Sequence, residues 1–144
     1  MSSERNIDFF AGLILILSII ALIMLLIGPF AGFYYTGYGN RYSCLGCEYY
    51  TDVDLTSQII ILILLILQIV ISLNELLPNR FISKDMTLIG LILAISTFSF
   101  ALIGLISFGV YYSEFDWWAD LGFYGTLVGG LLNAILFFLK KRNQ

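Results

Sequence analysis

The chain has 144 residues, of which 60% are hydrophobic and 12% charged, with 7 basic and 10 acidic side chains and no histidine. One domain fits that length, and so apolar a balance belongs to a chain that lives in lipid rather than water. Lack of histidine removes the commonest acid–base catalyst, the usual haem ligand and the helical zinc motifs, and the scattered basic residues give nucleic acid no face to bind.

In chain order, the first apolar run is Phe9 to Ile27. It is longer than the core of a cleaved signal, follows Glu4 and Asp8, and has no small-x-small cleavage site, so it is expected to remain as a helix. Gly28-Pro29 stops it. Residues 28–55 form a connection holding Tyr34, Tyr35, Tyr38, Tyr42, Tyr49 and Tyr50, with turn signals at Thr36-Gly37, Gly39-Asn40 and Leu45-Gly46. Such a segment predicts a small β-hairpin or meander acting as a cap. The second run is Thr56 to Leu73, with Asp54 and Thr56 as N-cap oxygens and Pro78 closing its exit; after a short turn, Ser83 or Asp85 caps the third, Met86 to Val110. Residues 111–120 lead to the fourth, Leu121 to Leu139. Each run reaches or nearly reaches the roughly 20 residues needed to cross a hydrocarbon core of about 30 Å. The expected fold is an all-α membrane protein: a single domain, residues 1–144, forming a four-transmembrane-helix bundle with a β-prone extracytoplasmic cap.

The distribution of Lys and Arg sets the orientation. With the N-terminus inside, Arg5, Arg80, Lys84, Lys140, Lys141 and Arg142 face the cytoplasm, against Arg41 alone outside. Both termini are thus expected in the cytoplasm of a plasma membrane, with loops 28–55 and 111–120 outside. The Ile- and Leu-rich composition points to a prokaryote. Tyr34 and Tyr35 after the first run, and Tyr111 and Tyr112 after the third, fall where an aromatic belt belongs, and Trp117 and Trp118 extend it. Tyr38 and Tyr42 are candidate contact residues of the cap.

None of the four runs contains a charge, which argues against a proton relay, an ion path or a voltage sensor. Among their polar residues, Gln58, Gln68, Ser72, Ser96, Thr97, Ser99, Ser107 and Asn133 stand out. Gln68 and Asn133 are expected to bond helix to helix. Gly125 and Gly129 form a GxxxG followed by Gly130, a stripe for close packing within the chain or between copies.

Cys44 and Cys47 admit three readings. On the oxidising side of a membrane they close into a disulfide that staples the cap. As CxxC they have the spacing of a redox pair, although Glu48 opposes thiolate formation and only Arg41 favours it. As zinc ligands they supply half a tetrahedron, to be completed only by a second chain. Glu48, Asp52, Asp54, Glu114, Asp116 and Asp120 have the oxygens calcium prefers, but a solvated acidic surface is the expected state, and no metal site is assigned.

Four spans, internal termini, and a larger β-prone first loop with a cysteine pair resemble the claudin and peripheral-myelin-protein superfamily. The stretch from Asp120 to Leu132, aromatic and then glycine-rich, looks like the opening of the fourth helix in small claudin-like proteins. The resemblance implies a left-handed bundle under a small sheet, able to associate laterally. A CxxC shortly before the second helix is similar to the bacterial DsbB family of quinone-coupled disulfide generators; that family's second cysteine pair has no counterpart between Tyr111 and Asp120. The function expected is therefore a non-catalytic structural or accessory protein, held in the lipid bilayer and bound to other membrane proteins or its own copies through helix four and the tyrosine-rich cap. It needs no cofactor. The alternative is a thiol-disulfide oxidoreductase with quinone as cofactor and Cys44 and Cys47 as its catalytic pair.

Overall fold

The computed structural model describes residues 8–144; Glu4 and Arg5, used in the charge argument above, lie outside the described residues. Four helices, α1 (Phe9–Ile27), α2 (Asp52–Leu76), α3 (Thr87–Tyr111) and α4 (Leu121–Arg142), are each long and apolar enough to cross a membrane. Three short strands, β1 (Ala31–Tyr35), β2 (Gly39–Ser43) and β3 (Asp116–Ala119), form an antiparallel sheet in the order β2-β1-β3. Each helix packs against its neighbours in sequence and α1 closes against α4, so the four form a ring.

The inner faces follow a three-and-four spacing: Ala11, Ile14, Ser18, Ala21 and Leu25 on α1, and Thr87, Gly90, Ala94, Thr97, Ala101, Gly104 and Phe108 on α3. This is the repeat of left-handed bundles. What it buries differs from a soluble core. The seams mix small and polar residues with a few large apolar ones such as Ile14, Leu25, Ile61, Leu65 and Phe108, whereas Ile16, Ile20, Ile63, Ile92 and Ile106 point outward. Between helices surrounded by lipid, association rests on backbone approach and interhelical hydrogen bonds rather than on hiding leucine from water. Gly90 shows how close the approach is, since a Cβ there would lie 2.2 Å from a ring carbon of Phe137.

Helix α2 is longer than the uncharged run that marks it. Thr51, not Asp54 or Thr56, is its N-cap: the Thr51 hydroxyl accepts the Asp54 N–H at 3.1 Å, and the Asp54 carboxylate accepts the Thr51 N–H in return. Two otherwise orphaned donors are thereby satisfied one turn before the predicted start. Thr56 instead bonds the Asp52 carbonyl inside the helix. At the other end α2 continues through Asn74 and Glu75. Asn74 clamps the following turn, donating to the Ile82 carbonyl at 3.1 Å and accepting from the Ile82 N–H at 2.8 Å. Before α3, Asp85 accepts the Thr87 N–H at 2.9 Å.

The sheet is not confined to the first connection. The hairpin β1–β2 is joined on its other side by β3, with Phe33 opposite Arg41 and Trp117, and Gly32 opposite Tyr42 and Trp118. Trp117 and Trp118 are thus strand residues. Trp118 covers Gly32 and its ring lies 6.0 Å from that of Tyr42, while Trp117 covers Gly109 on α3. Gly37 and Gly39, with φ of 86° and 80°, turn the hairpin through backbone space that a side chain would disfavour. Pairing continues past β1, as Phe30 donates to Ser43 and accepts from Asp120, and Pro29 accepts from Gly122. The end of α1 is thereby tied to the start of α4.

Candidate functional site

Alternation along β1 turns Ala31, Phe33 and Tyr35 toward the bundle, and directly opposed residues share a face, so Arg41 and Trp117 lie on that side too. Tyr112, just past α3, stacks on Phe33 with ring centroids 4.1 Å apart, and Phe115 packs on the same ring at 5.4 Å. Beside this cluster opens a recess of about 420 Å³ lined by Phe33, Tyr35, Tyr38, Arg41, Tyr49, Tyr111, Tyr112 and Phe115. Arg41 is the one charged member of the lining, with its guanidinium carbon 5.1 Å from the centre of the Tyr49 ring. Burial, then Tyr111, Asp54 and Tyr49 nearby, push the Tyr112 phenol above its ordinary range, so it stays protonated.

Cys44 and Cys47 stand at disulfide distance with Cα atoms 5.0 Å apart, closing the Leu45-Gly46 turn. A bridge over so short a loop removes little chain entropy, about 2 kcal/mol. Its neighbour Ser43 does more to place the sheet. The Ser43 hydroxyl donates to Asp54, which also receives the Thr51 hydroxyl at 2.6 Å and Gln58 Nε2 at 3.3 Å. Asp54 is thus a buried carboxylate held by neutral donors from β2, the cap of α2 and α2 itself. Arg41 and Tyr49 also border a second, shallower hollow that includes Cys47.

Midway along the bundle each helix contributes one polar side chain. Asn133 on α4 donates to Ser18 on α1 at 2.8 Å and to Gln68 on α2 at 2.9 Å, and Gln68 donates to Thr97 on α3 at 2.9 Å. Gln68 and Asn133 sit together here, with Thr97 between Gln68 and its own helix: its hydroxyl donates onward to Leu93. Ser18 was not among the residues singled out from the sequence. Its only signal was to be the sole hydroxyl in an otherwise apolar run, at the spacing that links Ile14 to Ala21. Between this layer and Gln58 the α2 seam carries Ile61 and Leu65, both fully buried.

At the end opposite the sheet, Lys140 pairs with Asp8 at 2.6 Å and Glu75 at 3.3 Å, and Arg80 pairs with Glu75 at 2.8 Å. Burial raises the Asp8 carboxyl, but the Lys140 hydrogen bond and the Ala11 N–H outweigh it and hold the group below the usual range.

The glycine stripe is occupied from within the chain. A Cβ on Gly125 would meet Met24, one on Gly129 would meet Ala21, and one on Gly130 would meet the Phe98 backbone. Of the predicted anchor and contact residues, Tyr34, Tyr35, Tyr38, Tyr42, Tyr111 and Trp117 are exposed, whereas Tyr112 is buried in the aromatic cluster. Trp118 is partly covered and its indole donates to Asp120 at 3.2 Å. Among the described residues no three His, Cys, Asp or Glu side chains gather as a metal would require.

These features define a class: four helices apolar enough to span a membrane, sealed at one end by a three-stranded sheet with an aromatic recess beneath it. No family model matches the chain, and no curated protein or solved structure is similar to it.

Proposed function

We propose that the chain is a non-catalytic integral membrane protein of the plasma membrane, with both termini cytoplasmic and the sheet outside, serving as a structural or accessory subunit. Its bundle supplies the fixed platform and its cap the contact surface for other membrane proteins or a second copy. The observation that carries this reading is the aromatic exposure at the sheet end, where Tyr38 is 69% and Tyr111, the last residue of α3, 70% exposed beside Tyr34, Tyr42 and Trp117. Tyrosine, tryptophan and arginine are the residues most enriched at protein interfaces. Helix four enters this picture as the bundle's keystone, because its glycines already meet α1 and α3.

The test places a photoreactive phenylalanine analogue at Tyr38 and, as a lipid-facing control, at Phe138. Irradiation of native membranes is expected to give one discrete adduct at Tyr38, of a mass that recurs between preparations, and only diffuse lipid labelling at Phe138. Identical diffuse labelling at both positions would refute the proposal.

A thiol-disulfide reading with quinone as oxidant draws support from one observation: Arg41 and Tyr49 border both the aromatic recess and the hollow at Cys47. Differential thiol labelling of intact membranes, with and without added quinone and a reduced thiol protein, separates the two. A pair that stays oxidised and does not exchange fits the staple; a pair that cycles with quinone supply makes Cys44-Leu-Gly-Cys47 the active site.

A further inference from the structure

The recess beneath the sheet has the size of a small-molecule site, and its lining is aromatic apart from one cation. The state of that cation is the informative detail. Glu48, Asp52, Glu114 and Asp116 belong to the same sheet end of the chain, yet none pairs with Arg41; the salt bridges among the described residues involve Arg80, Lys140 and Lys141 instead. Arg41 rests on the Tyr49 ring, with its hydrogen-bonding edge unspent. The hydroxyls of Tyr35, Tyr38, Tyr49, Tyr111 and Tyr112 likewise bond no other described residue.

We infer that this recess binds a planar amphiphile carrying one acidic group, its anion held by Arg41 and its flat body lying against Tyr38, Tyr49 and Phe115. Each part of the ligand follows from a wall. A guanidinium in the lining repels the organic cations that aromatic cages otherwise attract. A wholly apolar occupant, such as an acyl chain, would strip water from Arg41 and give nothing back. Aromatic faces favour a flat partner, which stacks offset or edge-on, over a branched one. The carbonyl end of α3 at Tyr111 carries partial negative charge, so the anion belongs on the β2 side of the recess, at Arg41. The site is reached from the sheet end of the bundle, where the exposed rings of Tyr38 and Tyr111 form its rim. This inference shares Tyr38 and Tyr111 with the partner reading, but it rests on Arg41 and the enclosed lining of the recess, so the two stand or fall separately.

The experiment uses the full chain in phosphatidylcholine nanodiscs, with 2-naphthoate as probe and 2-naphthalenemethanol as its neutral isostere, followed by calorimetry against empty discs. Naphthoate is expected to bind saturably, one per chain, about tenfold or more tighter than the alcohol, the factor that one charge-assisted hydrogen bond commands. Arg41→Gln should bring naphthoate down to the level of the alcohol, Arg41→Lys should keep part of the preference, and Lys84→Gln, at the opposite end, should change nothing. Thermal melting of each variant confirms that the bundle is intact. Binding no greater than in empty discs, equal affinity for acid and alcohol, or indifference to Arg41→Gln overturns the inference. So does a neutral short-chain quinone that displaces naphthoate and binds as well in Arg41→Gln as in the unaltered chain, a result that assigns the recess to the redox reading.

Discussion

Two glycine-to-alanine changes that look alike on paper should move stability in opposite directions. Within a helix interior alanine is favoured over glycine by about 1 kcal/mol. At Gly12 on α1 a new Cβ meets nothing within 4 Å, so that gain is unopposed. At Gly130 on α4 the same atom would lie 2.9 Å from the Phe98 nitrogen, 3.2 Å from its Cα and 3.3 Å from the Ala94 carbonyl oxygen. These are backbone atoms of α3 and cannot rotate aside; the helices must part, at an overpacking cost of about 1–3 kcal/mol. The difference between the variants isolates that steric cost, because the propensity term is common to both. Unfolding of each in mixed micelles by graded denaturing detergent gives the two values. Gly12→Ala is expected at or above the stability of the unaltered chain, and Gly130→Ala below Gly12→Ala by about 1–3 kcal/mol. Equal shifts of the same sign would show that α3 and α4 do not approach at Gly130 as described.

Asn133→Leu removes two interhelical hydrogen bonds of roughly 0.6 kcal/mol each and strands the Gln68 carbonyl, so a loss of about 1 kcal/mol is expected. In a double-mutant cycle with Gln68→Leu the combined loss should be smaller than the sum, and strict additivity would count against the shared layer. The ion cluster opposite the sheet predicts a pH dependence. Asp8 and Asp85 have folded-state values below the ordinary 3.8, the first through Lys140 despite burial and the second through Thr87 and then Lys141. A carboxyl of this kind takes up protons more readily when unfolded, so its contribution is fully present above about 4 and fades as pH falls through the lower folded value. Stability measured from pH 6 down to 2 should therefore drop. Lys140→Met should lower the plateau and flatten the part of the slope due to Asp8; an unchanged slope would exclude the Lys140–Asp8 pair from that role.

Much of this architecture can be read from the chain because lipid imposes a simple rule on it. Four uncharged stretches mark the helices, and α1 spans the same residues as its apolar run. The reading fails where a charge is buried with partners from elsewhere. Hydropathy ends the second run at Thr56 and Leu73, yet Asp54 and Glu75 belong to α2, since the first is met by Ser43 and Thr51 and the second by Lys140 and Arg80. The third strand was hidden by a competing explanation: Trp117 and Trp118 suit a membrane interface as well as a strand, and only pairing with a segment more than eighty residues earlier separates the two. Tyr112 escaped for a related reason. It repeats the paired-tyrosine pattern of Tyr34-Tyr35, but its position at the end of α3 turns its ring onto Phe33. The aromatic recess has no local signature, because its lining comes from β1, the hairpin turn, β2, the loop before α2, the end of α3 and the connection that follows it.

The order in which the sheet is assembled has a consequence for synthesis. Strands β1 and β2 are made early and are adjacent in the chain, so the hairpin needs only its own turn to form. The other edge of β1 is closed by β3, whose residues emerge only after α2 and α3 are complete. A growing chain therefore carries an open strand edge through the insertion of two further helices, and such an edge pairs readily with any extended segment nearby. The last fifth of the chain, β3 with α4, acts as the latch. A released chain ending at residue 115 would leave three helices inserted beneath an unsealed sheet, a species for membrane quality control to recognise.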